Sequence, residues 1–417
     1  MPPPDGPSAV NSSEVFPAWL TSGRVIGYSR LIAAGYLVLL VVFHLMAARQ
    51  AADGLPPMVT DFNTFYAVAS LLEVNRPEAA YEPAPMLDAE RSALAHAYPH
   101  LSAGQLTSAP LFTWLYPPAT LMLLAPLGRL PYWLAYGLWN SATLLLWLTS
   151  VRRILPGAAS WSVALALPGT FLNAMFGQMG FLTAGLLGWG LALLGERPAL
   201  AGIAFGLLTI KPHFGLLLPL ALLCGGHWRA IAAAAVTALA LSGASLLIFG
   251  PAPWAAFLTH AGQGGALMEA GGVPWSLMPT LFPALRLLGV PSGAAYAAQA
   301  AAGMAAAAAV AWSWRRRTPI GLKASVLCLA TLLALPFAHA YDLVVAMLPL
   351  FWLAAKGIRT RMEAVFVVLT ALLPFLGPGL GKLGLPVSPL VIGGLLAVVL
   401  ARVHRSPSFE MSSGSPL

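Results

Sequence analysis

The segment MVTDFNTFYAVASLLEVNRPEAAY, residues 58–81, is the part of the chain around which the remaining sequence can be organised. After Asp61, apolar residues recur with the spacing of one helical face, at positions 62, 65, 66, 69 and 72. The segment contains no apolar run long enough to cross a bilayer. The pattern therefore predicts an amphipathic helix that lies on the membrane surface.

Asp61, at the start of this helix, belongs to a residue class that the chain uses rarely. Only 14 of the 417 residues are Asp or Glu, and seven of those lie between positions 53 and 90. An acid at this point has two interpretations. It caps the helix, since a carboxylate accepts hydrogen bonds from free N–H groups and suits the helix dipole, or it takes part in chemistry at the membrane surface. The residues alone favour neither.

Apolar residues dominate the composition. They make up 59% of the chain and charged residues only 9%, with a mean hydropathy of +0.78, whereas a soluble domain has about 25% charged residues. The composition predicts an all-α polytopic membrane protein. The net charge of +8 comes from short Lys and Arg clusters between apolar runs, which indicates contact with membrane lipids and no nucleic-acid partner.

The apolar runs define a membrane domain with two polar ends. Residues 1–23 and 406–417 are rich in Pro and Ser and are predicted to be disordered, the first on the cytoplasmic side. Residues 24–405 form the membrane domain, with about 12 spans at roughly 20 residues per crossing. Arg24 and Arg30 precede the first span and place the N-terminus in the cytoplasm.

This orientation assigns two long segments to the outer side, residues 49–110 and residues 251–292. The first also contains a second candidate helix near residues 86–98. Basic clusters at residues 315–317 and 356–361 flank a turn near residue 340 and place that turn outside as well.

The topology is ambiguous in the middle of the chain. Residues 111–127 form an apolar run that is expected to re-enter the membrane. If this run crosses, strict alternation places Arg152 and Arg153 outside, against the preference of basic residues for the cytoplasm. One segment between Leu111 and Trp228 is therefore expected to be re-entrant or short.

Two polar side chains interrupt apolar runs in this region. Lys211 lies inside an apolar run of about 25 residues and precedes Pro212, which predicts a broken helix whose free backbone groups line a cavity. Lys211 then pairs with a phosphate, or its long side chain extends so that the ammonium group reaches the membrane interface. Gln178 lies at the break FGQMG and contacts either a sugar hydroxyl or a neighbouring helix.

The segment FAHAYD, residues 337–342, contains the third group of polar candidates. His339 and Asp342 flank Tyr341, and an imidazole and a carboxylate at this spacing can share a proton or a polar ligand. Alternatively, Asp342 only begins the next helix. The chain contains no Walker A loop, GxGxxG, HExxH or paired-cysteine motif, so we predict neither a metal site nor a cofactor.

Several motifs resemble glycosyltransferase family 87, whose members are bacterial GT-C type enzymes. They are VTDFNTFY and AAYEP in the first outer loop, Tyr116-Pro117-Pro118, FGQMG, the run ending at Lys211-Pro212, and LPFAHAYDL. The family includes polyprenyl-phosphate-mannose-dependent mannosyltransferases. The resemblance implies inverting transfer of a hexose, with mannose expected, from a polyprenyl-phosphate donor to a lipid or glycan acceptor. It also implies a bacterial cytoplasmic membrane protein whose active site faces the periplasm or cell exterior.

The resemblance assigns an essential aspartate to Asp61, with His339 as the alternative catalytic base. Tyr66, Gln178, Lys211, Tyr341 and Asp342 are the expected substrate-binding residues. The last motif departs from the actinobacterial members, because a single histidine precedes Ala-Tyr-Asp where adjacent histidines are expected, so the base is not decided. Two other functions stay open, a transporter or flippase of lipid-linked sugars and a non-catalytic membrane scaffold.

Overall fold

Helices form all the regular secondary structure in the part of the chain that the structure, a computed structural model, describes. These residues are 19, 21–55, 58–109, 112 and 114–406. The two ends that we predict to be disordered lie almost wholly outside this part of the chain.

The helices are numbered in chain order. The first ten are α1 Ser22–Ala52, α2 Phe62–Glu73, α3 Pro83–Ala97, α4 Ala103–Ser108, α5 Leu121–Leu124, α6 Tyr132–Ile154, α7 Ala158–Ala166, α8 Pro168–Phe176, α9 Gly180–Leu193 and α10 Pro198–Leu207. The others are α11 Leu218–Gly225, α12 Trp228–Phe249, α13 Ala252–Glu269, α14 Leu281–Leu287, α15 Ser292–Arg315, α16 Ile320–Ala334, α17 Val344–Ala355, α18 Arg361–Lys382 and α19 Ser388–Arg405. Short 3₁₀ turns connect several of them.

Several of these helices have the length and apolar composition of membrane spans. Five qualify individually (α1, α12, α15, α18 and α19), and a sixth is the pair α7 and α8, which is bent by 62° at Leu167. Five shorter apolar helical segments of 10–17 residues accompany them. The protein is therefore an all-helical membrane protein.

The helix α2 differs from its sequence-based prediction. A helix lying on a membrane would bury one face, but nine of the 12 residues of α2 are buried. Aromatic rings from α6 and from residues 114–116 surround it, and the centroid of the Phe65 ring lies 6.0 Å from that of Trp114 and 5.5 Å from that of Trp139. The apolar spacing was therefore real, but the remaining helical faces are covered by protein rather than by water.

The apolar run at residues 111–127 does not form the membrane span that its composition predicts. Its described part contains only short turns, Pro118–Thr120, α5 and Ala125–Arg129. These turns pack on α2 so closely that a Cβ on Gly128 would lie 2.5 Å from the carbonyl oxygen of Ala69. Prolines at positions 117, 118 and 126 explain the failure of a long helix, because each lacks an N–H donor.

Because residues 111–127 form no span, strict alternation no longer places the basic pair at the end of α6 on the outer side. The helix begins beside α2, where the rings of Tyr132 and Phe62 lie 5.4 Å apart, and its 23 residues end at the other end of the bundle with Arg152 and Arg153. There Arg153 forms an ion pair of 2.5 Å with Glu196, just after α9.

Three neighbouring helices show which helix ends lie together. The ring of Trp147 in α6 contacts that of Phe351 in α17 at 6.0 Å. Gly188 in α9 lies against Ser150 and Leu348. The C-terminal ends of α6, α9 and α17 therefore share one end of the molecule, and their N-terminal ends meet at the opposite end, where the polar candidates lie.

Candidate functional site

Asp61 occupies the N-cap position of α2, but its carboxylate does not cap the helix. No hydrogen bond joins this side chain to the first turn of α2. The carboxylate instead lies beside the side chain of Gln178, whose amide favours its charged form, and it is close enough to Lys211 and Asp342 for both charges to affect its pKa. The capping explanation of this acid is therefore not supported.

Gln178 connects Asp61 to two tyrosines. Its Oε1 atom accepts hydrogen bonds from the Tyr116 hydroxyl at 3.1 Å and from the Met179 N–H at 2.9 Å, and its Nε2 atom donates to the Tyr341 hydroxyl at 3.3 Å. These bonds orient the amide. The FGQMG motif therefore breaks the α8–α9 connection as predicted and places its glutamine among the other polar candidates.

Lys211 and Asp342 form a buried ion pair. Their side chains are only 4% and 2% exposed, and Lys211 Nζ lies 2.5 Å from Asp342 Oδ1. Pro212 disfavours a helical conformation at the preceding residue, and Lys211 accordingly has non-helical angles of φ −140° and ψ 67°. The break predicted at this lysine is confirmed, and its ammonium group points into the protein instead of reaching an interface.

His339 lies beside this ion pair. Its backbone N–H donates to the second carboxylate oxygen of Asp342 at 3.1 Å, and its ring stacks on that of Tyr341 with centroids 5.1 Å apart. Thr280 holds the same segment from the second long loop, because its hydroxyl donates to the carbonyl oxygen of Pro336 at 2.7 Å. Asp342 thus bridges a cation and the local backbone.

Burial shifts the pKa values of the two candidate bases in opposite directions. It raises the pKa of the Asp61 carboxyl to about 7, since removal from water disfavours the charged form. It lowers the pKa of the His339 imidazole to about 4 for the same reason. Near neutral pH, Asp61 is therefore balanced between its two forms, whereas His339 is neutral.

Tyr66 is the one predicted site residue that the structure does not bring to this cluster. Its hydroxyl donates to the carbonyl oxygen of Leu130 at 2.8 Å, and its ring packs against Tyr132 at 5.0 Å. It stands more than one helical turn after Asp61, so its contacts support α2 instead of reaching Gln178. We regard Tyr66 as a packing residue.

A comparison with protein families assigns the chain to one family. A family model for glycosyltransferase family 87 matches residues 114–336. The chain belongs to glycosyltransferase family 87. No curated protein and no solved structure matched this chain in the two other searches.

As a family 87 member, the protein is a glycosyltransferase and requires a sugar donor and an acceptor. The matched residues contain Gln178 and Lys211, but Asp61 precedes them and His339 and Asp342 follow them. The family match alone does not connect the residues inside residues 114–336 with those outside. The structure brings both sets together at one end of the helix bundle.

Two residues of this site were missed as individual candidates. Tyr116 contributes the hydroxyl that orients Gln178, and its ring lies 6.0 Å from Lys211 Nζ. His213 lies within electrostatic range of Lys211, Asp342 and His339. Both stand next to prolines in motifs that the sequence singles out, at Tyr116-Pro117 and Pro212-His213, which is the available signal.

Gly177 allows a first prediction for this family 87 enzyme. Its φ of +66° favours glycine, and a Cβ there would lie 2.6 Å from that of Phe62, the neighbour of Asp61. Gly226 has the same conformation, φ +70°, with nothing within 4 Å. We expect about 1–2 kcal/mol of strain in either alanine variant, but a loss of transfer activity of up to about 10²-fold only in Gly177→Ala, because only that variant displaces Phe62.

Measured thermal midpoints and transfer rates of the two purified variants decide this prediction. Gly226→Ala is the matched control for backbone strain. Equal transfer rates in both variants would show that the packing of Phe62 on Gly177 has no effect on the site.

Proposed function

We propose that the protein transfers a hexose, with mannose as the expected sugar, from a polyprenyl-phosphate donor to a hydroxyl of a lipid or glycan acceptor. The observation that carries this proposal is the gathering of Asp61, Gln178, Lys211, His339 and Asp342 at one end of the helix bundle in a family 87 chain. A transporter usually concentrates its charged groups near the bilayer midplane and often shows a duplicated half, whereas half of the acids of this chain lie between positions 53 and 90 and its sequence shows no internal repeat.

Asp61 is the base in this proposal. The acceptor oxygen attacks the anomeric carbon while its proton moves to the Asp61 carboxylate. The new C–O bond forms as the bond from the anomeric carbon to the phosphate oxygen breaks, and polyprenyl phosphate leaves with the electron pair, so the configuration inverts. A pKa of about 7 suits this role, because a base is most effective when its pKa is close to the working pH.

His339, Tyr341 and Asp342 serve the substrates and the cation instead. With a pKa lowered to about 4, the His339 imidazole is a weaker base than Asp61 but accepts hydrogen bonds from sugar hydroxyls. Lys211 donates one N–H to Asp342 and retains two others for the departing phosphate. Asp342 keeps that ammonium group at the site, and we assign Gln178 and Tyr341 to contacts with the sugar.

The membrane topology that fits these contacts has about 12 crossings. They are α1, α6, the bent pair α7–α8, α9, α10, α11, α12 and α15 to α19. The helix ends that carry Arg152, Arg153 and Arg315 then face the cytoplasm, as the charge rule prefers. The site at the opposite ends faces the exterior of a bacterial cytoplasmic membrane, where the donor lipid is presented.

The direct test is a donor panel. Purified protein is incubated with polyprenyl-phosphate mannose, glucose and galactose, each with lipid extract from the host, and the products are identified by mass. We expect one donor to yield a glycosylated product with inverted anomeric configuration. Consumption of nucleotide sugars but of no lipid-linked donor would refute the proposed donor class.

The pKa of Asp61 predicts how the transfer rate depends on pH. The group faces Gln178, Lys211, Asp342 and, at longer range, Glu90. Because only the deprotonated carboxylate accepts a proton, kcat/KM should be half-maximal near pH 7, level off at higher pH and approach a tenfold fall per pH unit at lower pH. A rate profile between pH 5 and 9 provides the measurement. Glu90 also has a pKa raised to about 7, so the pH profile of Glu90→Gln is the control. We expect this variant to keep the fall in rate at low pH.

A further inference from the structure

A cavity of about 390 Å³ lies between the two outer segments of the chain, next to the site. Its walls come from the turn before α3, from α3 itself, from residues 112 and 114, and from α13. The ring of Tyr81, which lines the cavity, contacts that of Phe257 in α13 with centroids 5.9 Å apart. Its volume is within the range of about 300–1,000 Å³ that small-molecule sites occupy.

Glu90 in the wall of this cavity is a buried carboxylate that the transfer mechanism does not use. Its residue is 1% exposed. One carboxylate oxygen accepts from the Thr64 hydroxyl at 2.5 Å and the other from the Phe112 N–H at 2.9 Å. A carboxylate has about four acceptor positions, so each oxygen can still accept a hydrogen bond from a bound hydroxyl group.

The other walls combine aromatic rings with a histidine. Tyr81 and Trp114 provide flat apolar surfaces, and His260 in α13 has a buried Nδ1 atom without a hydrogen-bond partner. Apolar rings beside a few hydrogen-bonding groups match a saccharide, which has C–H faces and a rim of hydroxyls. A lipid tail would leave the buried carboxylate facing hydrocarbon, which is costly.

The cavity is one aromatic layer away from the proposed base. The ring of Trp114 packs on that of Tyr116 with centroids 4.8 Å apart, and the hydroxyl of Tyr116 bonds Gln178, the partner of Asp61. Glu90 and Asp61 are close enough for the charge of Asp61 to affect the pKa of Glu90. No Lys or Arg is among the described residues that line the cavity, which disfavours a phosphate-bearing ligand.

We propose that this cavity binds a saccharide unit of the acceptor, with Glu90 accepting hydrogen bonds from its hydroxyls and His260 contacting it from the opposite wall. The proposal rests on the proposed function, since it separates the acceptor from the phosphate-bearing donor at Lys211. Glu90 and His260 are then specificity-determining residues for the acceptor.

The test uses a diazirine-bearing methyl mannoside, with competition by mannobiose, on the full-length protein. Mass spectrometry of the labelled protein should locate the label within residues 80–97 or 252–269, or at residue 112 or 114. We expect Glu90→Gln and His260→Leu to reduce labelling about tenfold and to raise the acceptor KM with little change in the donor KM. Asp88→Asn, an exposed position on the same helix paired with Arg91, is the matched control and should label normally.

His260→Leu protects the test against misfolding, because His260 makes no hydrogen bond with the described residues, whereas Glu90 holds two. Labelling at other peptides, labelling of both variants at the wild-type level, or labelling of these peptides by a diazirine fatty acid would overturn the saccharide site. Asp61→Asn separates the two proposals, since it should retain labelling without transfer. Normal labelling with no transfer from any lipid-linked donor in the wild type would refute the proposed function alone.

Discussion

Asp61→Asn should reduce the rate of sugar transfer by about 10³-fold, within the range of about 10²–10⁴ for loss of a general base. The amide keeps the size of the side chain and can still lie against Gln178, but it cannot take the acceptor proton. The carboxylate makes no capping bond to α2, so its loss removes no helix-stabilising contact. Chemistry and folding are therefore separable at this position.

Transfer from the active donor, measured at pH 8 where the wild-type carboxylate is ionised, provides the measurement, together with the thermal midpoint in detergent. Asp88→Asn is the control, because it makes the same chemical change at an exposed carboxylate in the same outer segment. Full activity in Asp61→Asn would exclude this residue as the base. A comparable loss in His339→Gln, with Asp61→Asn active, would assign the base to His339.

The polar residues of the site differ in how far the sequence alone could identify them. Lys211 and Gln178 stand out because a cation in an apolar run, or an amide between glycines, is costly without a purpose. Their partners do not stand out. Lys211 and Asp342 are 131 positions apart, and nothing in the local pattern of either residue encodes that pairing, which depends on how four helices pack.

The fold shows the same division between local and distant causes. Apolar periodicity predicted the existence of α2, and the proline at position 212 predicted the break at Lys211. Periodicity could not predict that α2 is enclosed, since its covering rings come from residues 114–139, beyond its own sequence window. The apolar run at residues 111–127 was misinterpreted as a span because its composition is that of a membrane helix, while its prolines and its packing on α2 decide otherwise.

Glu90 illustrates a third case, in which the role proposed for a residue depends wholly on its surroundings. On α3 it looks like one more acid in an acidic segment. Its burial follows from Thr64 on α2 and from the backbone at Phe112, which arrive from both sides. Such a residue becomes visible only when the three segments are seen together.

Lys211→Met should destabilise the protein by about 3–5 kcal/mol, the usual cost of leaving one charge of a buried pair without its partner. Asp342, 2% exposed, then has no cation nearby to compensate it. The double variant Lys211→Met with Asp342→Leu removes both charges, and since apolar replacement of a whole buried pair is often neutral, most of the stability should return. Transfer should not return, because no ammonium group remains for the departing phosphate.

The pair Arg402–Glu363 is the matched control at the opposite end of the molecule. It is also buried, with an N–O distance of 3.5 Å, but it lies away from Asp61. The double variant Arg402→Met with Glu363→Leu should recover stability only in part, because Arg402 also donates to the carbonyl oxygens of Lys356 and Gly357. Its folded fraction should nevertheless transfer sugar at the wild-type rate. Chemical denaturation and rates per folded molecule measure both effects, and full activity in the Lys211 and Asp342 double variant would reduce that pair to a structural role.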